Sequence, residues 1–323
     1  MALGAVPGNQ CDWVGGKAMN LARMASDRLP VPPAFCITTA AFREFLASCA
    51  RGQTLQTLRT GIASSVSFDS AALSRQATAW LAESPFPPTV ESAVLGAWRA
   101  LGEENAYAVR SSATVEDAAA RSFAGQFESF LNVRGEAALL SAIRKCWLSL
   151  FSERALAYQL KIGLSPEHAA MAVVVQKMVP ANAAGVLFTV DPVNGNTSRM
   201  VIEAVTGLGD RLVLGRVDPE SLVLEKPSLR LLSRRTTTAV PCLTDSMARK
   251  LGTLALEVER LFGQPQDIEW AVHGDQLFLL QSRPITALPS RAASSSDHGS
   301  TGSDESPEVW TNANVIEALP DVV

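Results

Sequence analysis

The chain has 323 residues, of which 47% are hydrophobic and 19% are charged, with a formal net charge of −4, enough for one large or two modest domains with a hydrophobic core. The mild acidity and the lack of any run of lysines or arginines argue against a nucleic-acid partner or an anionic membrane surface. With neither a signal segment at the start nor an apolar run near the ~20 residues that span a bilayer, we expect a cytoplasmic protein without a membrane partner.

A glycine pair precedes the first helical pattern. Gly15 and Gly16 stand before Lys17, and apolar residues then recur at helical spacing over residues 18–24. Unpaired backbone N–H groups at a helix start, next to a lysine, form a competent anion site. A glycine pair at this place is more often only a turn, and the full spacing of a Walker loop is absent.

A second candidate for anion binding follows a long helical region that we assign to scaffold. Residues 107–110 form a short strand pattern that ends in Arg110, and a small-residue loop leads into the alternating run 127–133. Small residues allow the backbone to approach a polyphosphate, and their N–H groups supply donors. The loop residues singled out are Ser122, Phe123, Ala124 and Gly125. The alternative is a simple hairpin with a solvated arginine.

Two helical stretches, 136–150 and 152–162, precede an apolar strand pattern over residues 171–180 that breaks at Pro180. Gln176, Met178 and Val179 lie just before this break. A strand that breaks in this way can serve as a hinge whose backbone groups contact an adenine edge. An edge strand that simply ends fits the same pattern equally well.

The last ordered pattern is a β-hairpin. Residues 267–271 and 276–284 are short apolar runs joined by a glycine-containing turn. Side chains alternate along a strand, so Asp267 and Glu269 share one face of the first strand, and Gln281 and Arg283 share one face of the second. If the hairpin pairs in the register that its turn indicates, these four side chains converge as hard oxygen ligands for Mg²⁺ beside a cation for phosphate oxygens. Taken alone, the stretch also fits an ordinary surface hairpin with salt bridges.

Strands and helices in two blocks predict an α+β chain with two lobes. We place the lobes at 1–180 and 181–288, a flexible Ser/Gly/Asp-rich linker at 289–307, and the start of a following, truncated domain at 308–323. The five cysteines are far apart and lack a C-x-x-C spacing, which argues against disulfides and zinc sites.

Six of these segments occur in the order found in one family. The chain resembles the ATP-binding domain of the pyruvate phosphate dikinase and phosphoenolpyruvate synthase family, whose fold is a two-lobed ATP-grasp-type nucleotide-binding domain. The tail at 310–320 resembles the segment that follows this domain in rifampicin phosphotransferase-like members. The six segments are residues 109–114, 122–126, 175–179, 185–192, 267–270 and 281–284.

The resemblance implies a role for each matching residue. Lys17 and Arg110 would hold phosphate oxygens beneath the loop of Ser122, Phe123, Ala124 and Gly125, and Gln176, Met178 and Val179 would line the adenine slot. Glu269 and Gln281 would coordinate Mg²⁺ with help from Asp267, and Arg283 would stabilise charge on the transferred phosphoryl group. Lys17, Arg110 and Arg283 would thus be the catalytic set, with ATP and Mg²⁺ as cofactors.

Family members split ATP and relay a phosphoryl group through a histidine on a separate swivelling domain to a small-molecule acceptor. His168 lacks the glycine pair that precedes such a histidine, and Ser165-Pro166 before it signals a helix start. We therefore expect the relay histidine to lie on another domain, in the same chain or on a partner, and the acceptor to be a rifamycin-like antibiotic or pyruvate. The alternative is a non-catalytic ATP-binding sensor or adaptor that acts through a partner.

Overall fold

The computed structural model describes residues 1–6, 11–49, 70–114, 128–161, 169–213, 215–236 and 239–285. The chain divides into two compact units, Met1–Val179 and Pro180–Val323. Each unit contains both helices and antiparallel strands, so the predicted α+β class is confirmed.

The first unit is built on a four-stranded antiparallel sheet in the order β1-β4-β2-β3. Its strands are β1 (Ala34–Ile37), β2 (Tyr107–Ala113), β3 (Ser129–Val133) and β4 (Met171–Lys177). Its helices are α1 (Cys11–Ser26), α2 (Thr39–Cys49), α3 (Ser70–Glu83), α4 (Pro88–Leu101), α5 (Glu136–Ser149) and α6 (Glu153–Lys161), after a 3-10 turn at Leu3–Ala5.

The two faces of this sheet have different neighbours. Alternate residues of β2 and β4, including Val109 and Val173, enter a large hydrophobic core with helices α2 to α6. Trp147 lies at the centre of that core, 4.9 Å from Phe45 and 5.5 Å from Phe86 between ring centroids. Helix α1 packs against β2 and β4 on the other face, which therefore carries the opposite set of side chains.

The second unit is built on a six-stranded antiparallel sheet in the order β10-β9-β5-β6-β7-β8. The strands are β5 (Ala183–Phe188), β6 (Arg199–Thr206), β7 (Glu220–Glu225), β8 (Leu231–Arg235), β9 (Gln266–His273) and β10 (Gln276–Pro284). Helix α7 (Asp210–Val213) is a single turn, and α8 (Asp245–Phe262) is the long helix of this unit.

The sequence accounts for both ends of α8. Thr244 accepts a hydrogen bond from the backbone N–H of Met247 (3.2 Å), and Gly263 ends the helix in the left-handed region with φ +71°. Leu224 and Leu229 contact α8 at Gly252, where a side chain would collide with Leu229. This contact assigns one face of the sheet to α8.

The opposite face of this sheet carries a smaller apolar cluster. It contains Val186 and Phe188 of β5, Val205 of β6, and Leu212 of α7. The face is thus covered in part by the segment that follows β6. The same face also carries Glu203 of β6 and Glu269 of β9.

Two features differ from the sequence predictions. Helix α1 begins at Cys11, ahead of the glycine pair, and is interrupted at Gly15. Strand β8 was not predicted, because its five residues, Leu231–Arg235, contain only two apolar positions, which are adjacent. The loop residues Ser122 to Gly125, His168, and the predicted linker and tail from residue 289 onward lie outside the described residues.

Candidate functional site

Gly15 forms a kink in α1 that depends on its lack of a side chain. Its φ of +69° lies in the left-handed region, and a Cβ there would overlap the carbonyl oxygen of Ser112 in β2. The buried Ser112 hydroxyl donates to the carbonyl of Val14 (2.7 Å) and accepts from the N–H of Ala18 (3.2 Å). One hydroxyl from β2 therefore satisfies both sides of the break and holds Lys17 between them.

Lys17 and Arg110 lie on the α1 side of the first sheet. Arg110 is two residues before Ser112 in β2, so its side chain leaves the strand on the same face. The two predicted phosphate-binding cations are thus half-buried residues that the fold positions on one face.

Lys17 also acts electrostatically on a buried thiol. Burial raises the pKa of the Cys146 thiol well above its ordinary value, and Glu128 raises this pKa further, whereas Lys17 lowers it.

Gln176 is on this same face, because it pairs with Ala108 in β2, two positions from Arg110. Its side chain is only 2% exposed, and within the described part of the chain its Nε2 group has no hydrogen-bond partner. A buried amide without a partner is costly unless a ligand satisfies it.

Met178 and Val179 follow directly after β4. The backbone N–H of Met178 already donates to the carbonyl of Ala106 (2.8 Å), so this N–H is occupied. Val179 is buried, with 8% of its side chain exposed. A contact of this segment with a base would therefore not use the Met178 N–H.

Strands β9 and β10 form the predicted hairpin. Glu269 lies directly opposite Gln281, and Asp267 lies directly opposite Arg283. Cross-strand partners share a face, and Arg283 Nε donates to Asp267 Oδ2 at 2.9 Å. The four side chains identified from the sequence thus lie side by side in two rows.

A register shift makes this arrangement possible. Leu279 pairs with Trp270, whereas Gln281 pairs with Glu269, so β10 contains one extra residue between them. Trp270 is fully buried on the α8 side, where Gly185 of β5 gives it room. Leu277 and Leu279 of β10 therefore face the α8 side, whereas Gln281 and Arg283 face the opposite side.

The sequence reasoning missed Glu203 of β6. Glu203 pairs with Val186, which pairs in turn with Glu269, so Glu203 and Glu269 share a face of the sheet. Burial raises the pKa of Glu203 to about 7, with Arg235 acting in the opposite direction and Asp267 adding to the rise. The signal was present in the alternation of β6, where a glutamate stands between Val201 and Val205 on an otherwise apolar face.

Glu269 and Gln281 are the pair of side chains whose oxygen donors suit a hard cation. Among the described residues, no group of three His, Cys, Asp or Glu side chains is arranged to hold a metal ion. Glu269 and Gln281 supply two oxygen donors in register, and Mg²⁺ commonly takes one or two protein ligands and completes its shell with phosphate oxygens and water. The chemistry of this pair therefore suits Mg²⁺ held jointly with a phosphate chain.

The family model of the pyruvate phosphate dikinase AMP/ATP-binding domain matches residues 11–240 and 234–301. The chain belongs to this family. This family membership confirms the predicted relationship and the dikinase-type ATP-binding character of the domain, and it agrees with the ATP-grasp-type architecture that the resemblance implied.

Individual members of the family are similar to this chain over most of its length. Rifampicin phosphotransferase of a Streptomyces species is 38% identical over 297 residues, covering 85% of this chain and 34% of that protein. Phosphoenolpyruvate synthase of Aeropyrum pernix is 35% identical over 331 residues, covering 84% of this chain and 40% of that protein. The chain therefore spans between about a third and two fifths of these two relatives.

Among solved structures, D-alanine-D-alanine ligase from Coxiella burnetii matches 82% of this chain and 46% of its own, with 8% identity and a TM-score of 0.34. This TM-score is too low to support a conclusion. None of the described helices combines the length and the hydropathy needed to cross a bilayer. All five cysteines are described, and all are free thiols.

Proposed function

We propose that this chain is the nucleotide-binding domain of a dikinase-type phosphotransferase. It binds MgATP, and in the complete protein a phosphoryl group passes through a histidine on a separate domain to a small-molecule acceptor. The relatives are named rifampicin phosphotransferase and phosphoenolpyruvate synthase. A rifamycin-like antibiotic or pyruvate is accordingly the class of acceptor that we infer.

The observation that carries the proposal is the register of the β9–β10 hairpin. It sets Glu269 opposite Gln281 and Asp267 opposite Arg283 on one face. Glu269 and Gln281 would hold a Mg²⁺, and the ion, when bound, would supply charge neutralisation for the triphosphate. The guanidinium of Arg283, oriented by its 2.9 Å contact with Asp267, would bind oxygens of the phosphoryl group by charge-assisted hydrogen bonds.

The first unit supplies donors of a second kind. Lys17 and Arg110 provide cations on one face of the sheet, and they would bind phosphate oxygens by charge-assisted hydrogen bonds. The buried amide of Gln176 on that face would satisfy its Nε2 group by donating to a ring nitrogen of the adenine. These residues of the first unit would thus contribute donors to nucleotide binding.

The chemistry that these residues perform is positioning and charge neutralisation. Phosphoryl transfer needs little covalent assistance, because its transition state is stabilised mainly by oriented cations and donors. Lys17 and Arg110 extend from a fixed kink and a strand of the first unit, and Arg283 extends from a strand of the second, so each cation is held locally by its own unit.

Calorimetric titration of ATP into this chain, with and without MgCl₂, tests nucleotide binding. We expect binding that Mg²⁺ strengthens, and a loss of about tenfold in that affinity for Glu269→Gln, since one charged ligand is removed. Glu257→Gln, on the exposed surface of α8, serves as the matched control and should bind as the wild type does. Equal Mg²⁺ dependence in the wild type and Glu269→Gln would remove Glu269 from the site.

Phosphoryl transfer is tested by supplying the histidine domain of a family member in trans with ATP labelled in its β-phosphate. The wild type should label the histidine, and Arg283→Ala should abolish labelling while keeping ATP affinity within about tenfold. Undiminished labelling by Arg283→Ala would exclude Arg283 from transfer. ATP binding without any labelling by the wild type would favour the sensor or adaptor function instead.

A further inference from the structure

Arg283 lies near the end of an edge strand. In the described part of the second sheet, β10 is an outermost strand and pairs with β9 alone. Just beyond Arg283, the N–H of Ile285 donates to the carbonyl of Pro265 (3.0 Å). A hydrogen-bonded antiparallel pair normally exchanges two such bonds, but Pro265 has no N–H to donate in return. The backbone ladder is therefore incomplete next to the side chain that we assign to the phosphoryl group.

A buried polar network lies behind this end of the hairpin. The Ser282 hydroxyl donates to Gln266 Oε1 (2.7 Å), and the Thr189 hydroxyl accepts from the backbone N–H of Gln266 (2.8 Å). The Gln266 amide nitrogen donates to the carbonyls of Gln264 and Pro265, both at 3.2 Å. We call Thr189, Gln266 and Ser282 the hairpin anchor, because their side chains join β10 and β9 to the residue that follows β5.

The hairpin anchor is shielded from water and is adjacent to the functional pair. Thr189 and Gln266 are 0% exposed, and Ser282 is 1% exposed. Removing one member of a buried hydrogen bond leaves its partner unsatisfied, so the anchor resists displacement. Because side chains alternate, Gln266 and Ser282 lie on the α8 side, whereas the residues after them, Asp267 and Arg283, lie on the opposite face. A shift of the backbone at Ser282 would therefore move Arg283 as well.

We propose that the hairpin anchor sets the orientation of the Arg283 guanidinium for phosphoryl transfer, so its three members are positioning residues. This inference rests on the proposed function, which gives Arg283 a phosphoryl group to contact. On one face of the hairpin Asp267 holds the guanidinium at 2.9 Å, and on the other face Ser282 holds the strand that carries it. A cation fixed from both faces stabilises the transition state without first having to reorient.

Two small substitutions test the anchor in the full chain. Thr189→Val removes a hydroxyl while nearly keeping the size of the side chain, and Ser282→Ala removes the hydroxyl that contacts Gln266. The rate of labelling of a histidine domain supplied in trans, at saturating MgATP, is compared with ATP affinity from calorimetry. We expect labelling by each variant to slow by about 10–100-fold while ATP affinity stays within about threefold, because contacts made in the transition state are lost.

A conservative variant and a matched control separate positioning from a general loss of stability. Thr189→Ser keeps the hydroxyl and should label within about threefold of the wild-type rate. Thr244→Ala removes a hydroxyl hydrogen bond of the same unit at the start of α8, so it should lower the melting temperature and leave labelling unchanged. If Thr244→Ala slows labelling as much as Thr189→Val does, the effect is structural and the inference is overturned.

A second measurement needs neither nucleotide nor a histidine domain. In NMR spectra of the isotope-labelled chain, the Nε–H signal of Arg283 is assigned by its loss in Arg283→Lys. We expect slow exchange of this proton with solvent in the wild type, because it donates to Asp267, and exchange at least about tenfold faster in Thr189→Val and Ser282→Ala.

Thermal unfolding verifies that each variant is folded, and if Ser282→Ala is not, the pair Thr189→Val and Thr189→Ser carries the test. Unchanged labelling, or unchanged exchange of the Arg283 proton, in folded Thr189→Val overturns the inference and leaves the proposed function intact. A wild type that labels no histidine overturns the proposed function and the inference with it.

Discussion

Replacing Ser112 by alanine tests whether one hydroxyl holds the kink at Gly15. The variant removes the only group that, among the described residues, bridges the Val14 carbonyl and the Ala18 N–H across the break. Val14, Ala18 and Ser112 are each 0% exposed, so water cannot replace the lost partner without opening the structure.

The magnitude follows from two buried groups left without a partner. Each such group costs about 1–3 kcal/mol, so we expect Ser112→Ala to lower the free energy of unfolding by about 2–6 kcal/mol. Lys17 lies inside the bridged segment, and ATP affinity should therefore fall as well, by roughly tenfold.

Ser111→Ala is the matched control. Ser111 is the neighbouring residue in β2 and is also 0% exposed, but its hydroxyl has no hydrogen-bond partner among the described residues. This variant should be neutral or slightly stabilising, since it removes an unsatisfied buried hydroxyl. Urea unfolding followed by tryptophan fluorescence, together with ATP titration, measures both effects. If Ser112→Ala is as stable as Ser111→Ala, the hydroxyl does not hold the kink.

Three further predictions concern single side chains. Burial raises the pKa of Glu203 from an ordinary 4.5 to about 7 in the folded protein. The folded state therefore binds this proton more tightly than the unfolded state does, and the group lowers stability as pH rises from about 4.5 to beyond 7. Glu203→Gln should remove this pH dependence. In urea titrations, the free energy of unfolding of the variant relative to the wild type should be about 3 kcal/mol larger at pH 8 than at pH 4. Parallel pH profiles of the two proteins would contradict the burial of an ionisable carboxyl. Gln176→Met should raise the free energy of unfolding by about 1 kcal/mol, because it removes an unsatisfied buried amide. The same variant should weaken ATP binding roughly tenfold. Unchanged binding would exclude Gln176 from the adenine slot. Gly185→Ala should lower the free energy of unfolding by more than about 3 kcal/mol, because its Cβ would overlap the Glu203 carbonyl oxygen and lie 2.9 Å from Trp270. As the control, Gly96→Ala on the open surface of α4 should raise it by about 0.5–1 kcal/mol. Similar melting temperatures for these two variants would contradict the packing described at β5.

The sequence was most informative where local chemistry determines geometry. The glycine-containing turn between the two apolar runs was sufficient to predict the hairpin. The placement of Gln281 opposite Glu269 and of Arg283 opposite Asp267 also needs the extra residue in β10, which the turn does not indicate. The α+β class likewise followed from the alternation of apolar patterns. The family resemblance added roles that composition and periodicity do not contain.

Long-range pairing explains what the sequence did not reveal. Ser112 and Ala18 are 94 residues apart, and no local pattern indicates that a serine in a strand caps a broken helix. Glu203 joins the polar row only because β5 lies between β6 and β9, and this strand order cannot be read from spacing along the chain. The spatial partners of both residues are therefore visible only when the strands are assembled.

The extra residue in β10 is absorbed by a local bulge, and this bulge decides which way the later side chains point. Leu277 and Leu279 point towards the α8 side, and a strand of unbroken alternation through Leu280 would send Gln281 and Arg283 the same way, into the hydrocarbon interior. Deleting Leu280 would remove the bulge and leave Gln281 directly after Leu279, so a regular strand would still set Gln281 opposite Glu269 and Arg283 opposite Asp267. A single gap at this position in a related sequence is therefore compatible with an unchanged polar face.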